Sequence, residues 1–318
     1  MPGPKIYATA AAFRRALEDR LKRIAQEKTV DVNRLRRHVA FDRLLARLFQ
    51  PDQQPWVLKG GYALELLFHT ARATIDIDLT LPGVDVTSGQ PNDVIREMLQ
   101  QAAGMSLNDW FEFTIAAPIM DLDAAPYGGA RFPVEVKMDA RTFARFHLDV
   151  GVGDVVLQPL GVVVCRDWLA FAGIARPYVR IIPPEQQFAE KLHAYTLPRS
   201  TPNSRVKDLV DLALLVHAGR LKPARVSSAI DATFARRGTH AVPRQLDPPP
   251  AKWLVQFAEL SESCLAGASM SAAFETVRAF YDALAESERQ AALDRMSRSA
   301  FELGLYDRNE MPNGGCDE

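Results

Sequence analysis

The chain has 318 residues, 47% of them hydrophobic and 24% charged, with a net charge of −1. That length supplies ample core for one large or two moderate domains, and the balance excludes nucleic-acid binding through overall basicity. No apolar run reaches transmembrane length and no signal-peptide core opens the chain. Three scattered cysteines (Cys165, Cys264, Cys316) show neither metal spacing nor a disulfide framework, so a reducing, cytoplasmic setting is expected.

The charge is unevenly spread: residues 1–50 hold twelve Lys/Arg against five Asp/Glu, +7, and the remainder is −8. Residues 8–27 predict an amphipathic helix, with Ala12, Phe13, Leu17, Leu21 and Ile24 at helical spacing. A second helix starts at Asp31 or Asn33 and carries Leu35, Val39, Phe41, Leu44, Leu45 and Leu48. Arg14, Arg15, Lys22, Arg23, Arg36 and Arg37 fall on polar surfaces. These are either solvated helix faces or a surface that steers polynucleotide phosphates, with Arg36 and Arg37 as candidate RNA contacts.

Trp56 to Leu58 reads as a buried strand between Pro55 and the Gly60-Gly61 pair. A short helix over Tyr62–Phe68 follows, then a strand over Thr74–Leu81. Its alternation puts Ile75, Ile77 and Leu79 on one face and Asp76 and Asp78 on the other. Two carboxylates side by side suit a hard divalent cation, which borrows further oxygens from substrate phosphates. A metal pair about 3.5–4 Å apart clamps both oxygens of a phosphoryl displacement. The glycines let the backbone approach an anion, and the helix behind them offers free N–H groups. Taken alone, an Asp-x-Asp is an edge strand with solvated acids. The glycine turn fifteen residues upstream reverses that reading.

Residues 82–92 form a loop, 93–103 a helix and 111–115 a strand. The segment 118–129 reads as a loop with Asp121 and Asp123 solvated. Strands follow over 132–138 and 146–150, joined by a turn at Asp139-Ala140-Arg141. Further strands lie near 162–165 and over 178–182. Pro183-Pro184 then ends the ladder and starts a helix over Glu185–Tyr195. This divides the chain into residues 1–182 and a helical lobe, 183–318. A loop over 196–204 leads to a helix over Arg205–His217, in which Asp208 and Asp211 share a face. Residues 226–244 hold a helix and a basic loop (Arg236, Arg237, Arg244), and further helices lie over 253–260, 271–284 and 290–305, with a proline-rich linker at 246–251 and a disordered tail from 306. His69, His147 and His193 read as structural or surface residues. No P-loop, nucleophile elbow or dinucleotide fingerprint is present.

Gly-Gly-x-Ala-Leu followed by Arg-x-Thr-x-Asp-x-Asp-Leu, then Glu-Lys-Leu-x-Ala and Arg-x-Lys-Asp-Leu-x-Asp-Leu, resembles the AbiEii/AbiGii-type nucleotidyltransferases across residues 56–216. These are toxins of bacterial toxin–antitoxin (type IV) and phage-defence loci with a polymerase-beta-like fold. The resemblance implies an α/β (α+β) protein: a mixed sheet with helices, plus a C-terminal helical lobe that completes the cleft. It implies an enzyme dependent on Mg²⁺ (or Mn²⁺) with an NTP as co-substrate. The implied catalytic residues are Asp76, Asp78, Lys191 and Asp208. Gly60, Gly61, Thr74, Lys191 and Asp211 are implied for the nucleotide. For the metal it implies Asp76, Asp78 and a third carboxylate: Asp149 fits best, Glu135 next. Thr74 could bind phosphate or be modified. The implied acceptor is the 3′ end of tRNA, with growth arrested through blocked aminoacylation and a separately encoded antitoxin opposing it. The alternatives are transfer to a protein or small molecule, a non-catalytic NTP-binding module, and a metal-dependent nuclease.

Overall fold

A computed structural model describes residues 5–51, 55–68, 71–82, 91–122, 126–199 and 205–302, with the backbone alone at 91 and 287–302. The expectations for His69, Asp123, Cys316, the loops at 83–90 and 200–204, and the tail from 303 lie outside these residues.

The two N-terminal helices form as their spacing dictates. Helix α1 (Ala10–Lys28) is capped by Thr9, whose hydroxyl accepts the Ala12 N–H. Helix α2 (Val32–Leu48) is capped by Asp31, which settles the choice of its start. Most of the basic residues on this pair are occupied. Arg14 donates to the carbonyls of Met138, Arg141 and Thr142. Arg36 closes on Glu18, and Arg43 and Arg47 grip the buried Asp109.

The described strands are β1 (Val57–Lys59), β2 (Asp76–Leu81), β3 (Glu112–Ile115), β4 (Met120–Asp121), β5 (Gly129–Met138), β6 (Arg141–Val152), β7 (Gly161–Val164) and β8 (Tyr178–Ile181). They form one mixed sheet in the order β3-β5-β6-β2-β1-β8-β7, with β4 paired to β5. Strand β2 runs antiparallel to β1 and parallel to β6 at the centre of the sheet. Helices α3 (Gly60–Leu67) and α4 (Pro91–Ala103) connect strands. After the sheet come α5 (Pro184–Thr196), α6 (Val206–His217), α7 (Pro223–Arg237), α8 (Leu254–Ser261) and α9 (Met270–Glu302). The architecture is therefore the expected mixed sheet followed by helices.

Two apolar clusters hold these layers. The inward face of the sheet, with Ile77, Leu79, Phe132 and Leu148, packs with Leu17, Leu21, Leu44 and Leu45 of α1 and α2. Phe188, Leu192, Leu209, Leu212, Trp253 and Phe274 pack the later helices together, and Leu64 of α3 joins that cluster. Among the described residues no helix is long and apolar enough to cross a membrane.

Four local readings change. The ladder begins at Asp76, so Ile75 is not a core residue and stands 52% exposed. Met120–Asp121, expected as loop, pairs with β5. The proline-rich 246–251 stretch is pinned rather than a linker, because Leu246 and Trp253 are buried in the second cluster. The two expected terminal helices are one, since residues 285–289 contain no glycine or proline to break it.

Candidate active site

Strand register assembles one wall. Ile77 and Leu79 are buried inward, so Asp76 and Asp78 face the opposite side. Asp78 pairs in register with Lys59 of β1 and Asp149 of β6, and Asp149 pairs with Arg131 of β5. A row Lys59–Asp78–Asp149–Arg131 thus crosses four strands, with Asp76 and His147 in the next row. Arg131 grips both oxygens of Asp149 at 2.8 and 2.7 Å and lies 3.5 Å from Asp76. Lys59 is held by Asp154, and by Glu190 at 3.3 Å. Glu135, the alternative third carboxylate, is turned to Arg145 and Thr142 instead.

The glycine turn fits tightly over this wall. Gly60 has φ +68°, and a Cβ there would sit 2.1 Å from Asp78 Oδ2, so only glycine fits. Its N–H donates to Gln187 Oε1 of α5 at 3.1 Å, while Gly61 lies against Thr74 and lines the cleft. The Thr74 N–H donates to Glu65 Oε1 at 2.6 Å, which fixes the entry into β2.

The helices supply the facing wall. Lys191 Nζ of α5 lies 3.1 Å from Asp208 Oδ1 and 2.9 Å from Asp211 Oδ2 of α6. Arg72 braces Asp211 with two bonds of 2.8 and 2.7 Å. The second oxygen of Asp208 is buried with no hydrogen-bond partner among the described residues.

Between the walls is a cleft of about 480 Å³ lined by Gly61, Thr74, Asp76, Asp78, Asp149, Lys191 and Asp208. Five further cations, Arg72, Arg131, Arg199, Arg205 and Lys207, line it too. Gly60 lies beneath Asp78 and Asp211 behind Lys191, while Arg36 and Arg37 stand outside. His193, as expected of a structural histidine, is buried beside Thr239.

The walls differ electrostatically. Burial, then the neighbouring Asp149, pushes the Asp78 carboxyl up to about 6, against the pull of Lys191 and Lys59. Burial would also raise Asp211, but Lys191 and Arg72 hold it below the ordinary carboxylate range. Burial opposes the charge on Lys191, yet Asp211 and Asp208 lift its pKa.

Arg131 and Lys59 were not singled out by the sequence. Alternation with Phe132 and Val134 does place Arg131 on the polar face. Its pairing with Asp149, however, depends on a one-residue irregularity between Val136 and Lys137, which the residue pattern does not announce.

The chain matches the family described as nucleotidyl transferase AbiEii toxin, type IV TA system, over residues 43–299. No curated protein matches it in sequence. Among solved structures it is similar to JHP933 from Helicobacter pylori at 12% identity and TM-score 0.46, covering 83% of this chain and 97% of that one. It is also similar to an H. pylori protein provisionally assigned as a nucleotidyltransferase, at 14% identity and TM-score 0.41, covering 80% and 96%. From the match over residues 43–299, the chain belongs to the AbiEii nucleotidyltransferase toxin family of type IV toxin–antitoxin systems, enzymes that take an NTP and are opposed by an antitoxin.

Proposed function

We propose that the cleft binds an NTP and that the chain transfers its nucleoside monophosphate to the 3′ end of tRNA. The observation that carries this reading is the opposition of Asp76 and Asp78 to Lys191 across a cleft lined by six cationic side chains. A triphosphate is the ligand such a cation set suits. Asp208, whose buried second oxygen has Arg205 at 3.7 Å but no hydrogen bond among the described residues, accepts one from the bound nucleotide. Lys191 meets charge developing on the transferring phosphoryl group, and Asp211 and Arg72 hold Lys191 in place. Gly61 and Thr74 border the phosphates, and Gly60 leaves room for the Asp78 carboxylate.

Among the described residues no three His, Cys, Asp or Glu side chains converge as a cation cage. Mg²⁺ or Mn²⁺ fits nonetheless, because such an ion is held by one or two carboxylates together with substrate phosphates. Asp76 and Asp78 provide the all-oxygen pair, and Asp78 is a partly buried acid that desolvation, then Asp149, holds above its ordinary pKa. Asp149, gripped by Arg131, would be the third oxygen donor if that arginine turned to a substrate phosphate. Bound there, the ion would neutralise triphosphate charge and stabilise the pyrophosphate leaving group. In the reaction the acceptor hydroxyl oxygen bonds to the α-phosphorus and the bond to the bridging oxygen breaks. Pyrophosphate leaves, and the hydroxyl proton passes to solvent. A tRNA so capped cannot be aminoacylated, which accounts for toxicity.

The test is incubation of purified protein with each α-³²P-labelled NTP, Mg²⁺ and total bacterial RNA, beside Asp76→Ala, on a denaturing gel. An Asp76-dependent band at tRNA size supports the reading. Label on protein moves the acceptor to a polypeptide. NTP binding without label anywhere makes the chain a non-catalytic nucleotide-binding module.

A further inference from the structure

Ile75 lies one residue ahead of the ladder, immediately before Asp76, and is half exposed. Beyond it is a second cavity of about 520 Å³, in the range of roughly 300–1,000 Å³ that holds small ligands. Ile75 and Pro133 line it with apolar surface, Arg37 and Arg145 bring positive charge, and Asp76, His147 and Glu135 line it too. His147 Nδ1 lies 3.3 Å from Asp76 Oδ1. Asp76 lines both this groove and the cleft that faces Lys191.

The two adjacent N-terminal arginines are used differently. Arg36 is tied to Glu18 through its Nε and Nη2. Arg37 makes no ion pair among the described residues, and its buried Nε has no hydrogen-bond partner. Arg145 is held at the rim by Glu135 at 2.6 Å, which leaves Arg37 as the uncommitted cation of the groove.

We infer that this groove is the acceptor site, receiving the terminal nucleotide of the RNA with its free hydroxyl directed at Asp76. The inference rests on the reading above that the acceptor is RNA. An end nucleotide needs an apolar surface for the face of its base, a cation for its phosphate and an open path for its hydroxyl. Ile75 with Pro133 supplies the first, Arg37 the second and the position of Asp76 in the lining the third. A donor and an acceptor that react must meet at a shared wall. Asp76 is common to both cavities, so the donor lies on the Lys191 side and the acceptor on the Ile75 side.

The test is steady-state transfer from labelled NTP to unfractionated tRNA by wild type, Arg37→Ala, Ile75→Ser and, outside the groove on α9, Arg278→Ala. Loss of a groove contact raises the KM for tRNA about tenfold in Arg37→Ala and Ile75→Ser. The KM for NTP stays at the wild-type value, and Arg278→Ala follows wild type in both. Neither groove residue is a core residue, so melting temperatures near wild type check that the folds are equivalent. Unchanged tRNA KM in both groove variants, or an equal rise in NTP KM, overturns the groove assignment and leaves the RNA-acceptor reading standing. A wild-type enzyme that labels no RNA overturns the RNA acceptor and the groove together.

Discussion

The two walls of the cleft use the same chemical groups to opposite ends. On the sheet, Asp76, Asp78 and Asp149 are set by strand register, and Arg131 is the only cation in direct contact with them among the described residues. Lys59, next in the row, is turned to Asp154 and Glu190. On the helices, Lys191 lies between two aspartates, and Arg72 completes the set. Asp78 is consequently displaced upward and Asp211 downward from the ordinary carboxylate range, although desolvation pushes both upward. The sheet wall is short of positive charge, and the helical wall is internally balanced. On the proposed mechanism one wall takes up a cation and the other holds a lysine still.

The largest effect that follows is on the sheet. Asp76→Ala removes a cation-binding oxygen donor and lowers transfer by about a thousandfold. The melting temperature stays near wild type, because Asp76 supports no packing. Label transfer and thermal unfolding on the same preparation check this, and an active variant would break the distinction between the walls. Next in size is Asp211→Ala. It leaves Lys191 and Arg72 facing one another in a buried site, and removing one partner of a buried pair costs about 3–5 kcal/mol. A urea midpoint equal to wild type would show that the helical wall is not the balanced structural unit described.

How much of this was legible depended on the range of the interaction. The Asp76/Asp78 alternation and the helical spacing of Asp208 and Asp211 are short-range patterns, and they read correctly. So did the placement of Asp149 between apolar neighbours, which register then brought beside Asp78. Arg131 was hidden because its partner is set by a hairpin irregularity, and one residue of slip moves every side chain to the other face. Ile75 was misread because alternation continues past the point where the ladder stops. The N-terminal basic excess leaves less free charge than its count implies, for a different reason. Glu18, Asp109 and three backbone carbonyls, distant in sequence, absorb Arg36, Arg43, Arg47 and Arg14.

A smaller effect separates charge from shape at Lys191. Lys191→Met removes the cation proposed to face the phosphates and should lower kcat/KM by about a hundredfold. Lys191→Arg keeps the charge, but its planar fork does not reproduce the compact ammonium between Asp208 and Asp211, so it recovers part of the loss. Full recovery by arginine would mean that only net charge matters on this wall. Recovery of nothing would mean that position dominates, which sharpens the contrast with the sheet.

The smallest effect concerns stability without metal. Asp78 faces Asp149, Asp76, Lys191 and Lys59, and its pKa of about 6 in the folded chain exceeds the ordinary value of 3.8. The folded state therefore binds this proton more tightly than the unfolded state, and stability falls as pH rises from about 4 through 6. Above that window the ionised carboxylate carries its full cost. Asp78→Asn removes the charge, so in EDTA its urea midpoint should exceed wild type at pH 7.5 and converge on it as the pH falls towards 4.5. The gap between the two curves isolates Asp78 from Asp42, another buried acid raised to about 6, because Asp42 titrates in both proteins. Adding Mg²⁺ at pH 7.5 should close the gap from the other side, by stabilising wild type alone. A variant no more stable than wild type at pH 7.5 would mean that the sheet wall is already compensated, and the asymmetry between the walls would be lost.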